Sequence, residues 1–183
     1  LIISGIDGNS PNSFTAVSTN PNQILLDWNK NNNGNDVLIA TSSTGDFGNP
    51  ANQTTYNVSD VIPGGGTVLY KGGATSFTHA SLNENTRYYY KMWSILPSGN
   101  YSAAVYTNEK TIKSTPTAYP TNFVAGIPTG VVIPISWTDA VGTVIPDGYL
   151  VKASTVGYSS IAAPINGIPE QNSQMVKNVA HGL

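Results

Sequence analysis

A tryptophan-bearing segment occurs twice in this chain. Phe14 and Trp28 return as Phe123 and Trp137, each 109 positions later (123 − 14 = 137 − 28 = 109). Around them, Phe14-Thr15-Ala16-Val17 is answered by Phe123-Val124-Ala125-Gly126, and Leu26-Asp27-Trp28 by Ile135-Ser136-Trp137. After a small insertion, Val37–Ser42 aligns with Leu150–Thr155. A period of this length implies successive copies of one small domain, because each copy is long enough to close its own core.

Within each copy the residues read as strands. No stretch sustains a 3.6-residue apolar period, and short alternating runs are separated by Gly, Pro and Asn clusters. The expected strands of the first copy are Ser13–Ser18, Gln23–Asn29, Asp36–Ser42, Thr67–Lys71, Thr75–Ala80, Arg87–Ile95 and Tyr101–Thr111. Seven strands in about 100 residues fit an immunoglobulin-like sandwich. The expected order is a leading segment or linker (1–12), a first module (13–112), a linker with two prolines (113–120), and a second, incomplete module (121–183). Leu1–Gly5 reads as the end of a preceding strand. The second copy offers Gln174–Ala180 as a further strand but no counterpart of Arg87–Ile95 or Tyr101–Thr111, so an open edge and an uncovered apolar face are expected there.

The segment Leu82-Asn83-Glu84-Asn85-Thr86-Arg87-Tyr88, together with Trp28, resembles fibronectin type III modules. By that resemblance Tyr88 is the tyrosine-corner residue, bonding back to nearby backbone. Ile62–Tyr70, Thr75–His79 and Tyr88–Ser94 resemble modules of large secreted proteins of Bacteroidota, and Trp137-Thr138-Asp139 with Asp147–Ser154 resembles a sister module. The resemblance implies two tandem fibronectin type III-like antiparallel β-sandwiches, displayed outside the cell beside other domains of the same polypeptide. Trp28, Tyr88 and Trp137 are then structural residues. The expected core of the first module is Phe14, Ile24, Leu26, Trp28, Leu38, Ala40, Phe77, Tyr88, Tyr90 and Met92; that of the second is Phe123, Ile133, Ile135, Trp137, Leu150 and either Val151 or Ala153, whichever face the register selects.

Composition removes several function classes. Only 10% of residues are charged, against about 25% in typical soluble chains. With 8 Lys and Arg and a formal charge of −2, there is no electrostatic footprint for nucleic acid. The chain has no cysteine, so disulfides, zinc-thiolate sites and thiol nucleophiles are excluded. No apolar run approaches the ~20 residues of a membrane-spanning helix.

Catalytic chemistry finds little material. A nucleophile–His–acid triad needs a histidine, and only His79 and His181 are present. Asn29–Gly34 spaces oxygen-bearing side chains like the start of a calcium loop, but the twelfth position is Ala40 and no carboxylate opens it. No enzyme, metal or cofactor is expected. Alternation along Arg87–Ile95 sends Tyr88, Tyr90 and Met92 to one side and Tyr89, Lys91 and Trp93 to the other. Tyr89 and Trp93, about 13 Å apart on the outward side, are the candidate platform for a polysaccharide. The competing expectation is that residues 43–66, carrying Phe47 and Tyr56, fold over this patch. The leading function is a spacer or presentation module; the alternatives are a carbohydrate-binding accessory module, and assembly or adhesion with another β-chain at the open edge of the second module.

Overall fold

The computed structural model describes residues 8–165 and 169–182. Residues 1–7 of the expected leading segment lie outside this range. The chain divides into two compact units, Leu1–Ser114 and Thr115–Leu183.

The first unit is a two-layer antiparallel sandwich. One sheet orders β1 (Asn12–Asn20), β2 (Gln23–Asn29) and β5 (Ser76–His79). The other orders β4 (Thr67–Gly72), β3 (Val37–Ser42), β6 (Arg87–Ser94) and β7 (Val105–Lys110). β1–β2 is a short hairpin, whereas β3 pairs with both β4 and β6. This three-plus-four arrangement is the immunoglobulin-like pattern.

Period-two burial builds the core. On β2, Ile24, Leu26 and Trp28 are buried while Asp27 is exposed. These side chains meet Val37, Ile39, Leu82, Tyr90 and Met92 between the sheets. Phe14 stands edge-on to Trp28 at 6.4 Å, and Tyr70 tilts against it at 5.7 Å. Phe14, Phe77 and Tyr88, expected in the core, are half-buried at its margin.

Two sequence expectations are corrected. Leu38 and Ala40 do not join this core; they face the opposite side of the sheet, and Val37 and Ile39 face Trp28. Strand β7 starts at Val105, not Tyr101, because a loop claims Tyr101: its N–H donates to Asn52 Oδ1 (3.1 Å) and its hydroxyl to the Thr54 carbonyl (2.8 Å).

The corner before β6 is built on Tyr88. Its hydroxyl accepts a bond from the Asn83 N–H at 3.0 Å, and the Thr86 N–H bonds Thr111 Oγ1 at 3.0 Å. Tyr88→Phe keeps the ring and removes one bond near the surface. It should cost about 1 kcal/mol, read as a lower urea midpoint at unchanged m-value.

The second unit contains, among the described residues, β8 (Thr121–Ala125) paired with β9 (Ile135–Thr138), and β10 (Gly148–Lys152) paired with β11 (Val176–Ala180). These correspond in order to β1–β4. The third strand ends at Lys152, short of the expected Thr155, because Ser154 Oγ accepts from the Val156 and Gly157 N–H groups and turns the chain. A single 3-10 turn follows at Tyr158–Ser160. The core expected here is not closed. Phe123, Ile133 and Ile135 are 60%, 59% and 44% exposed, and Trp137, Leu150 and Val151 are half-buried. Among the described residues nothing corresponds to β5–β7, which cover the equivalent side chains in the first unit.

Candidate functional site

Strand β6 supplies the side chains singled out for ligand binding. Its inward face is Tyr88, Tyr90 and Met92, with Tyr90 and Met92 fully buried. Its outward face is Tyr89, Lys91 and Trp93, and it is not a platform. Trp93 is only 2% exposed. It lies in a second apolar cluster with Leu38, Ala40, Tyr56, Ile62 and Val68, against which Phe47 packs. Residues 43–66 therefore form a strap across the outer face of the four-stranded sheet, and a sugar ring has no access to the Trp93 indole. Tyr89 is half-buried, and Gly45 of the strap lies against its ring.

A buried cation fixes the strap. Lys91 is 4% exposed. Its Nζ donates to the Gly48 carbonyl at 2.9 Å and to Asn49 Oδ1 at 2.8 Å. The same ammonium sits 5.1 Å from the ring centroids of Trp93 and of Tyr106, within cation–π range. Two carbonyl acceptors and two ring faces thus replace its water. The strap also packs against itself, because Gly48 has no side chain: a Cβ there would stand 1.7 Å from the carbonyl oxygen of Pro63, further along the strap. The turn Gly64–Gly66 then returns the chain to β4, every residue at positive φ. Sequence reasoning placed the strap only as a competing expectation and missed Lys91 altogether. The available signal was a loop carrying Phe47, Tyr56 and Ile62, too apolar to lie in water.

The remaining candidates are structural in their geometry. Asn31 is buried; its amide donates to the Asn9 carbonyl and to Asn35 Oδ1, both at 2.8 Å, and its Oδ1 accepts from the Asn35 N–H. The oxygen that a cation would need is already engaged. The histidine ring nitrogens bond neutral groups: His79 Nδ1 the Tyr90 hydroxyl at 3.1 Å, and His181 Nε2 the Ala140 carbonyl at 3.0 Å. Among the described residues no group of three or more acidic or imidazole side chains is placed to hold a metal ion.

His79 nevertheless has a physical consequence. It stands edge-on to both Tyr88 and Tyr90 at 5.8 Å, and burial lowers its pKa below the ordinary 6.5. Burial likewise pushes the Tyr90 hydroxyl far above the usual range, so it stays neutral. The fold therefore favours neutral His79, while the unfolded chain takes a proton as pH falls through 6.5. Stability should be full above that value and decline below it, towards the lowered folded pKa. His79→Gln should flatten the difference in urea midpoint between pH 7 and pH 5.

The second unit carries an apolar groove with a volume of about 580 Å³. Its aromatic floor comprises Phe123 stacked on Trp137 (6.4 Å, 27°), with Tyr149 edge-on to the same indole at 5.6 Å. Trp137 Nε1 donates to Asp139 Oδ1 at 3.2 Å, and the Tyr149 hydroxyl accepts from the Ala140 N–H at 2.8 Å. Tyr149 thus faces Trp137, and alternation puts Val151 with it, so Leu150, expected inward, faces out. Lys152 shares that outer side, its Nζ donating to Glu170 Oε1 at 2.9 Å and to the Ala162 carbonyl at 2.7 Å.

No family model and no curated protein matches this chain. Solved structures do. A crystal structure of FN3tt is 13% identical, with 56% of this chain and 92% of that one covered and a TM-score of 0.41. The fibronectin type III domain derived from human KIAA0970 protein is 17% identical, with 66% and 84% covered and a TM-score of 0.40. The FN5 domain of Drosophila Lar is 16% identical, with 57% and 96% covered and a TM-score of 0.35. The fold itself follows from strand order and pairing: the chain is all-β, an immunoglobulin-like, fibronectin type III-like sandwich followed by a unit that repeats its first four strands.

Proposed function

We propose that the chain is a non-catalytic spacer or presentation segment of a secreted or cell-surface multidomain protein. The observation that carries this reading is the sealed outer face of the first unit. Trp93 and Lys91, the side chains best suited to ligand contact, are spent on holding the strap. Strand β3 is buried on both sides from Val37 to Ala40, which makes the unit stiff, as a spacer requires. The exported setting draws its support from the module-like motifs around Trp28 and Tyr88. The carbohydrate reading loses its main residue with the burial of Trp93.

Affinity electrophoresis of the chain through gels containing soluble polysaccharides tests the proposal. Mobility equal to that in a blank gel is expected. Retardation by any one polysaccharide would overturn the spacer reading.

A second reading, assembly through a β-strand, is favoured by β10. Its pairing with β11 occupies one edge only, whereas the equivalent strand β3 is paired on both.

A further inference from the structure

We propose that the cleft beside His79 in the first unit binds a small organic carboxylate. The site goes beyond the spacer reading and involves neither Lys91 nor Trp93.

The cleft has a volume of about 410 Å³, within the range of small-ligand sites. It lies where β3 and β5 end and β4 and β6 begin. Thr41, Ser43, Thr67, His79 and Tyr88 line it. The rings of His79 and Tyr88, edge-on at 5.8 Å, give it an aromatic wall on which an apolar ligand body can pack.

The hydrogen bonds determine which protons that cleft has to offer. Tyr90 is fully buried, and among the described residues its hydroxyl has one partner, His79 Nδ1. A buried neutral phenol gives its proton to that partner, because an O–H left unpaired pays its full desolvation. Nδ1 is therefore the acceptor, and the imidazole proton is assigned to Nε2. No described residue accepts from Nε2–H, nor from the hydroxyls of Ser43 and Thr67. The Tyr88 hydroxyl accepts from the Asn83 N–H and has its own proton left to give. Thr41 Oγ1 is already spent on the Tyr89 carbonyl at 3.3 Å.

Four donor protons thus line one cleft in which no side chain is charged at neutral pH. Their complement is a group with several acceptors and no proton. A carboxylate is such a group, and bonds from neutral donors hold it in its charged form. An alcohol brings a donor of its own with each oxygen. A phosphate dianion calls for a cation, and none lines the cleft.

The same contact leaves a signature on His79. The titratable groups that face it are Tyr88 and Tyr90, and Glu109 stands opposite Tyr88 on β7, outside the lining. Burial holds the imidazole below 6.5 in the free protein. A carboxylate against Nε2 supplies an opposite charge and lifts it.

Proton NMR of the full chain tests this, with benzoate as the probe, benzamide as its uncharged counterpart and inorganic phosphate as a third arm. His181, the only other histidine, serves as the internal reference. Benzoate should move the His79 ring signals saturably and raise the His79 pKa by about half a unit or more, while His181 stays in place. Benzamide and phosphate should leave His79 where it was. Thr67→Val removes one donor at an exposed position and should weaken benzoate about fivefold, the worth of one hydrogen bond. Thr78→Val, next to His79 but on the outer side of β5, should change nothing. An unmoved His79 at about 50 millimolar benzoate, where a millimolar site is filled, would overturn the proposal. So would an equal response to benzamide or to phosphate, or benzoate binding indifferent to Thr67→Val.

Discussion

Trp93→Ala should destabilise the first unit by about 3–5 kcal/mol, without any effect on polysaccharide binding. The indole is fully enclosed, so truncation opens a cavity lined by Leu38, Ala40, Tyr56, Ile62 and Val68. The surroundings cannot collapse into it, because Leu38 and Ala40 belong to the central strand β3 and the strap is held by its own hydrogen bonds. The strap's Gln53 N–H bonds the Gly99 carbonyl at 2.8 Å, and its Ser59 N–H bonds the Val68 carbonyl at 2.8 Å. Removal of the ring also takes one π-face from Lys91. Urea unfolding followed by circular dichroism gives the free energy directly. A loss below about 1 kcal/mol would mean that the ring is not enclosed.

Lys91→Met should cost about 2–4 kcal/mol, less than Trp93→Ala because the thioether fills the space of the lysine stem. What is lost is the ammonium. The Gly48 carbonyl and Asn49 Oδ1 would remain beneath the strap without their donor, and a bond from a charged group contributes about 1.5–3 kcal/mol. The two cation–π contacts go with it. A double-mutant cycle with Trp93→Phe separates the terms: the two substitutions should be non-additive, since both residues meet at one centroid distance of 5.1 Å. Additivity would assign the loss to the carbonyls alone.

The first unit was largely legible in the residues. Ile24, Leu26 and Trp28 alternate with Gln23, Leu25 and Asp27, and alternation of that kind has one structural solution, a strand with one buried side. Tyr88 stood out because Leu82 and Thr86 precede it at telling distances. Strand β3 gave no such signal. Val37-Leu38-Ile39-Ala40 is apolar at every position, so a strand buried on both faces offers no parity from which to choose its inner side. Lys91 was illegible for the opposite reason: charge on an outward position reads as solvent-facing, and lysine is rarely buried without partners. Its partners lie 43 and 42 residues away, a separation no local pattern reports.

In the second unit the strands were legible and their facing was not. Leu150 was expected inward, with Val151 or Ala153 left to the register, and the structure turns Tyr149 to Trp137 instead. One position of slip exchanges every side chain between the two faces. The hydroxyl bond from the Ala140 N–H to Tyr149, invisible in the residue pattern, anchors the observed register.

Two apolar clusters lie on opposite sides of the four-stranded sheet, with β3, β4 and β6 giving side chains to both, but the strap closes only one of them. The strap can peel away, wetting Trp93 and Lys91, while Trp28 and its neighbours stay dry between the sheets. The first unit is thus a sandwich with a strap laid on the back of one sheet, and its weakest opening is a partial one. In mild denaturant the 24 residues from 43 to 66 are released before the sandwich gives way, and because Thr41 and Thr67 stay paired at the two ends of the strap, the module keeps its length while it opens.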